Sequence, residues 1–527
     1  MISRRTFLET LGAGSAALAL TPSKLFGGVR NRTSSYFRVH PFVDSHPNAV
    51  FIMRTHVDVK TNSGAVKQAG LAFGQSVFVP SDSPGVPLSH RVAIKPNIVM
   101  MPAKDERDMG IVTDPYFVEG VIESLKLLGL PASQFYLREV NDPGQFENSG
   151  YAQMAQRTGA DLRKLDDPIG IIAEKEIQWV DVPSGQWFTR IPFLWPVNAP
   201  DSWLLNIAKM KTHLMGMSLC AKNIQGVNAI PYVVHCAEYN SDMGISTNHI
   251  KAGANAAILT SYNRHVAQKI PRWDRPGGDG GLWQETWATR CLDNNSVTTA
   301  GLNIIEAVYG REGPFVAGPG ADGRGIDYLM NLVVFGKNPF HVDTVGLWLG
   351  GHTPGNIGYL HMAIERGLSS ILNPAEIPLY EWKSDGTAVL TQLTSFDRTP
   401  LRTMYLRRNY NGQVEPEWHL VNEPYEYRTT DVHQEADAMP AAIELQQNYP
   451  NPFNGSTWIT FALPRNGHAV VEVLDVQGQI VDRLMDRYCP AGSHLVRWDG
   501  TRRGSGMYFY RLMFERSSTV RAMVHLK

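Results

Sequence analysis

The spacing of apolar residues changes character twice along the chain. Arg91-Val-Ala-Ile94 is a short apolar run that stops at Lys95-Pro96-Asn97. Phe117 to Leu130 then places Val118, Val121, Ile122, Leu125 and Leu128 at helical spacing, and Thr113-Asp114-Pro115 supplies an N-cap donor followed by proline. Gln134 to Val140 reads as the next strand. Strand, helix, strand in so few residues is a βαβ unit and predicts a parallel sheet. Trp203–Ile207, Leu302–Glu306 and Leu332–Phe335 read as further strands, with Val342–Leu349 and Ile357–Arg366 as helices. From Trp458 the period drops to two. Runs at Trp458–Leu463, Ala469–Leu474, Leu495–Trp498, Met507–Leu512 and Thr519–Leu526, broken at Pro464, Gly478, Gly492 and Gly506, predict a small antiparallel β-sandwich. The expected fold class is α/β with a mostly parallel sheet, plus a small C-terminal all-β Ig-like sandwich.

In open α/β sheets ligands bind beyond the carboxyl ends of the strands. That rule selects Lys95 and Asn97 after the first strand. After the third it selects Lys209, Lys211 and His213, then Lys222 and Asn223, and after the later strands Glu306 and Asp343. Lysine is a point charge with three donors, suited to carboxylate or phosphate, and when desolvated it can act as a base or Schiff-base amine. The expectation is a cationic cleft that binds an anionic small molecule through Lys95, Asn97, Lys222 and Asn223. Lys209, Lys211, His213, Glu306 and Asp343 are its candidate catalytic groups. His213, His235, His249, His265, His341, His352 and His361 leave a metal possible, yet no ligand spacing such as H-E-x-x-H occurs, so the metal and cofactor are unknown. The loops Gly277–Gly281 and Gly318–Gly325 match neither a P-loop nor a dinucleotide fingerprint.

Composition narrows the classes. The chain has 527 residues, 43% hydrophobic and 19% charged, and Lys+Arg 49 against Asp+Glu 50 leaves a formal charge of −1. That balance excludes whole-molecule attraction to nucleic acid. No stretch after residue 25 is long and apolar enough to be a transmembrane segment. Cys220, Cys236, Cys291 and Cys489 form no C-x-x-C pair, so no iron–sulfur motif is encoded; three disulfide pairings are open.

Three resemblances add to this reading. Ser3-Arg4-Arg5-x-Phe7-Leu8 before the apolar Leu11–Leu20 resembles a twin-arginine signal, with Arg4 and Arg5 as its paired arginines, and implies export through the twin-arginine translocase. Leu445-Gln-Gln-Asn-Tyr-Pro-Asn-Pro-Phe-Asn454, Val476–Ile480, Trp498-Asp-Gly500 and Ser505–Tyr510 resemble the C-terminal sorting domain of the type IX secretion system, related to the FlgD Ig-like fold. That implies delivery by the type IX machinery to the cell surface or medium. Ala93–Asn97, Asn206–His213, Ala221–Gly226, Asn303–Ala307 and Asp343–Gly346 resemble the family catalogued as domain of unknown function 362. The family implies an α/β domain with no secure reaction. This chain lacks the cysteines of its iron–sulfur relatives and has Glu306 where the family implies Asp. The expected boundaries are a signal at 1–28, an N-terminal extension at 29–84, the α/β domain at 85–429 with its motif-bearing core at 85–370, a linker at 430–444 and the sorting domain at 445–527. Two functional classes follow: an exported acid/base or metal-assisted enzyme, or a non-catalytic surface-displayed ligand-binding protein.

Overall fold

The computed structural model describes residues 34–82, 85–99, 101, 105–140, 143–162, 176–213, 216–217, 219–229, 248–273, 280–410, 413–427, 443–448, 451–465, 467–489, 492–515 and 517–526. Arg4, Arg5, His235, Cys236 and residues 430–442 of the expected linker lie outside them. The chain divides into two compact units, one ending at Tyr427 and one beginning at Arg428.

The first unit is built on a mixed sheet. Its strands are β1 (Val50–Arg54), β2 (Arg91–Pro96), β3 (Phe135–Leu137), β4 (Asp161–Leu162), β5 (Ser202–His213), β6 (Leu302–Ala317), β7 (Arg324–Gly336), β8 (Leu379–Trp382) and β9 (Ala388–Leu390). Their order is β9-β8-β1-β7-β6-β5-β2-β3-β4. The stretch β6-β5-β2-β3-β4 is parallel, as expected, whereas β7 runs antiparallel to both β6 and β1. The Gly318–Gly325 loop is therefore a plain hairpin turn, in which the Gly318 amide donates to the Gly323 carbonyl at 3.0 Å. A crossover would need a dozen residues or more.

Val50–Arg54, which falls in the expected N-terminal extension, lies inside the sheet as β1. Helix α1 (Ser63–Val77) packs on α2 (Pro115–Leu127), both against one sheet face. Asp114 caps α2 as its sequence foretells, accepting from the Tyr116 amide at 2.8 Å with Pro115 at the first turn. The two helices approach to backbone contact at Gly120, where a Cβ would stand 2.1 Å from the Lys67 carbonyl oxygen. The other face carries α3 (Cys220–Asn223), α4 (Ala254–Ala267), α5 (Gly280–Val297), α6 (Pro339–Leu349) and α7 (Gly358–Glu365). The strands alternate between these layers. Leu205 and Ile207 pack with α1 and α2, while Leu204 and Ala208 face the opposite layer.

The second unit is all antiparallel. Its strands are β10 (Ser456–Leu463), β11 (Gly467–Leu474), β12 (Ile480–Cys489), β13 (Gly492–Asp499), β14 (Gly506–Phe514) and β15 (Ser517–His525). One sheet joins Glu444–Leu445 to β10 and β13; the other has the order β12-β11-β14-β15. Phe461, Val471, Trp498, Tyr510 and Leu512 fill the shared core. Its aromatic residues are packing, as their period-two placement foretells.

Candidate functional site

Two buried ion pairs stand at the carboxyl end of the parallel strands, one on each face. Lys95 is aligned with Asn206 across β2 and β5, and Lys209 with Glu306 across β5 and β6. Since 206 and 209 differ in parity, alternation sends Lys95 and Lys209 to opposite faces. The expected four-lysine cluster is thereby split.

On the α1/α2 face the Lys209 ammonium donates to Glu306 Oε2 at 2.6 Å, with both side chains fully buried, and lies 3.6 Å from the centre of the Tyr309 ring. A β-bulge makes this possible. Lys209 pairs with Glu306, but Lys211 pairs with Arg311, so β6 carries extra residues between them. The bulge leaves the Val308 amide without a ladder partner, and Glu306 Oε1 accepts it at 3.0 Å. Glu306 Oε2 also accepts the Asp114 amide at 3.1 Å, and the Tyr309 hydroxyl donates to Asp114. Burial pushes the Glu306 and Asp114 carboxyls upward, and Lys209 opposes the shift in both. Glu306 is thus fully occupied, holding a lysine and two main-chain amides.

On the other face Lys95 donates to Glu139 Oε2 at 2.7 Å and to Asn223 Oδ1 at 3.0 Å. Burial lowers the lysine and raises the carboxyl, each opposed by its partner. Gly226 is required here: a Cβ would meet Glu139 Oε1 at 2.3 Å and Lys95 Nζ at 2.8 Å. Four asparagines run from this pair across the strands. Asn97 Nδ2 donates to Asn223 Oδ1 at 3.1 Å, Asn223 Nδ2 to Asn206 Oδ1 at 2.8 Å, and Asn206 Nδ2 to Asn303 Oδ1 at 2.8 Å. Glu139, Asn206 and Asn303 were not among the expected site residues. Glu139 lies inside the strand expected over Gln134–Val140, so the strand-end rule passes over it; β3 ends at Leu137, which leaves Glu139 at the same edge as Lys95.

Asp343 has a different position from the one expected. The antiparallel direction of β7 carries its C-terminus, and the start of α6, to the opposite edge of the sheet. Asp343 reaches the site region only as a cap. It accepts the Cys220 and Ala221 amides at 2.7 and 3.0 Å and the Tyr359 hydroxyl at 3.1 Å, fixing the first turn of α3. Burial pushes its pKa up to about 7 against these three bonds. Burial, with that carboxylate beside it, raises the Cys220 thiol well above its ordinary value, which disfavours its thiolate.

Lys211, His213 and Lys222 remain. Lys211 is fully buried, and among the described residues its side-chain nitrogen bonds only main-chain carbonyls, those of Ile111 at 2.7 Å and Pro314 at 3.4 Å. Burial, with Lys222 and Arg311 nearby, pushes its pKa well below the lysine range. His213, the last residue of β5, is buried against Trp287 and Phe315, with ring centroids 4.9 and 6.1 Å away. Burial first, then Lys222 and Lys211, lowers it well below the ordinary histidine value. Its Nδ1 has no hydrogen-bond partner among the described residues, nor does Asn97 Oδ1. Lys222 is partly exposed and lies 4.9 Å from the centre of the Trp287 ring. It forms no ion pair among the described residues, and it acts electrostatically on Lys95, Lys211 and His213.

The other expected histidines among the described residues have structural partners. His341 Nδ1 bonds the Asn48 carbonyl, His352 Nε2 the Leu401 carbonyl and His361 Nε2 the Gly355 carbonyl, at 3.0, 2.9 and 2.8 Å. His249 packs against Trp179 and Phe188. His265 sits between Glu285 and Glu365 at 2.8 and 2.7 Å. Among the described residues no three His, Cys, Asp or Glu side chains converge as a metal site. Cys220, Cys291 and Cys489 are free thiols.

Against known proteins, residues 92–348 match the model described as Domain of unknown function (DUF362), and residues 447–525 match the Secretion system C-terminal sorting domain. The chain carries a DUF362 domain and a type IX sorting domain. The sorting domain marks the protein for export to the cell surface or extracellular space. No helix among the described residues is long and apolar enough to cross a membrane. No curated protein matches the chain. Two solved structures share similarity over a small part of it. Dimeric latent PorU from Porphyromonas gingivalis is 22% identical over 16% of this chain and 10% of that one, with a TM-score of 0.15. PorZ, a surface component of the type IX secretion system of the same organism, is 16% identical over 18% of this chain and 13% of that one, with a TM-score of 0.13. The chain thus spans about a tenth of the length of these structures.

Proposed function

We propose that the DUF362 domain binds an anionic small molecule at Lys211, Lys222 and His213, and that the protein displays or releases this activity outside the cell. The observation that carries the reading is the charge inventory of the strand ends. Lys95 and Lys209 each have a buried carboxylate, and Arg311 has two, Asp108 at 3.0 Å and Asp327 at 2.9 Å. Lys211 and Lys222 have none among the described residues. A lysine cation without a carboxylate, beside a desolvated lysine amine and a buried histidine whose Nδ1 has no partner among the described residues, makes a site that an anion would complete. Lys95, Asn97, Asn223, Glu306 and Asp343 then act as the frame that holds α3 and β5 in place. Export of the folded domain through the twin-arginine translocase, directed by Arg4 and Arg5, fits a site assembled from strands distant in sequence.

Thermal unfolding in phosphate, against chloride at matched ionic strength, tests the reading. Phosphate stabilises most proteins by surface exclusion, so the informative quantity is the difference between variants. Native protein should gain more in Tm than Lys222→Met, following the linkage of ligand to the folded state. Equal gains in the two proteins would overturn the assignment.

A further inference from the structure

The burial of Lys211, which feels the charge of the partly exposed Lys222, says what kind of anion the site takes. This inference rests on the anion site proposed above. Lys222 is the outer, partly exposed cation, and Lys211 is the inner, fully buried one. To a ligand held by Lys222, Lys211 offers an amine whose bonds are to two main-chain carbonyls, which use both N–H groups of its neutral form and leave the lone pair free. The surrounding carboxylates are taken: Glu306 by Lys209, Glu139 by Lys95, and Asp108 and Asp327 by Arg311. A desolvated amine beside other cations, with no carboxylate bonded to it among the described residues, is held in its nucleophilic form. His213, two residues on along β5, brings an unpartnered Nδ1 that feels both lysines.

We infer that Lys211 is a reactive amine that condenses with the carbonyl carbon of a small carbonyl-bearing anion, a 2-oxo acid being the simplest member, to form an imine. The Nζ lone pair attacks the carbonyl carbon, and the C=O π electrons pass to oxygen. The carbinolamine then loses that oxygen as water while the C=N bond forms, and both N–H protons of the amine leave with it. His213 Nδ1 takes a proton shed by nitrogen and returns it to the departing hydroxyl. No oxidant or reductant is consumed. Lys209 cannot do this chemistry, since Glu306 holds its ammonium. Nor is Lys95 free to do it, since Glu139 and Asn223 hold its own.

The full-length protein incubated at neutral pH with glyoxylate or pyruvate and then reduced with cyanoborohydride would show the imine as a stable secondary amine. Peptide mass mapping should place the reduced adduct on Lys211 in preference to the exposed Lys269. Mapping on the native protein requires no variant to fold, and Lys211→Arg should lose that adduct. Excess phosphate should suppress labelling of Lys211 and leave Lys269 unaffected. Labelling of Lys211 no greater than of Lys269 overturns the imine. If phosphate still stabilises native protein over Lys222→Met, that result leaves the anion site standing. Preferential labelling of Lys211 that neither phosphate nor Lys222→Met reduces would instead keep the reactive amine and refute the anion site.

Discussion

Replacing Lys209 by Met should destabilise the DUF362 domain by about 3–5 kcal/mol, the cost of leaving a buried charge without its partner. That is a large share of the roughly 5–15 kcal/mol typical of a folded domain. The cause is specific. Glu306 would stay buried on the bulge of β6 with the Asp114 and Val308 amides as its remaining partners, and Asp114 carries a second carboxylate close by. Lys209→Met/Glu306→Gln should be more stable than Lys209→Met alone, because glutamine removes the charge and keeps an acceptor for a main-chain amide. Urea unfolding followed by tryptophan fluorescence measures both. A cost for Lys209→Met below about 1 kcal/mol, the range of exposed pairs, would contradict the account.

Removing residues 445–527 should abolish delivery to the surface or medium while the α/β unit still unfolds cooperatively. The expectation follows from the division at Tyr427/Arg428 and from the closed core of Phe461, Trp498 and Tyr510 in the second unit. A sorting domain is read as an address by its own receptor and is not needed to complete another core. Cell fractionation with an antibody to the first unit reads the location, and the melting curve of the truncated chain reads its fold. Normal surface delivery of the truncated chain would refute the role of the sorting domain.

Much of the frame is legible in the residues themselves. The α2 helix announces its start through Asp114-Pro115, and the strand ends at Lys95 and Lys209 follow from apolar runs that stop at polar residues. What was not legible has physical reasons. Val50–Arg54 is buried on both faces over most of its length, so it shows no alternation that would mark it as a central strand. The direction of β7 could have been read from the short Gly-rich link to β6, which leaves no room for a crossover helix. Missing that constraint put Asp343 at the wrong edge. The division of Lys95 and Lys209 between faces depends on register, which strand runs alone do not fix. The β6 bulge, which turns Tyr309 over Lys209, leaves no mark in hydrophobic spacing.

The central claim is that Lys211, Lys222 and His213 form an anion site. Crystals of the protein grown with selenate, whose anomalous scattering locates the anion directly, test it most plainly. A selenate should stand within hydrogen-bond distance of the Lys222 ammonium, inside the Lys211–Lys222–His213 cluster. Selenate bound solely at surface arginines and lysines, with the Lys211–Lys222–His213 cluster empty, would contradict it.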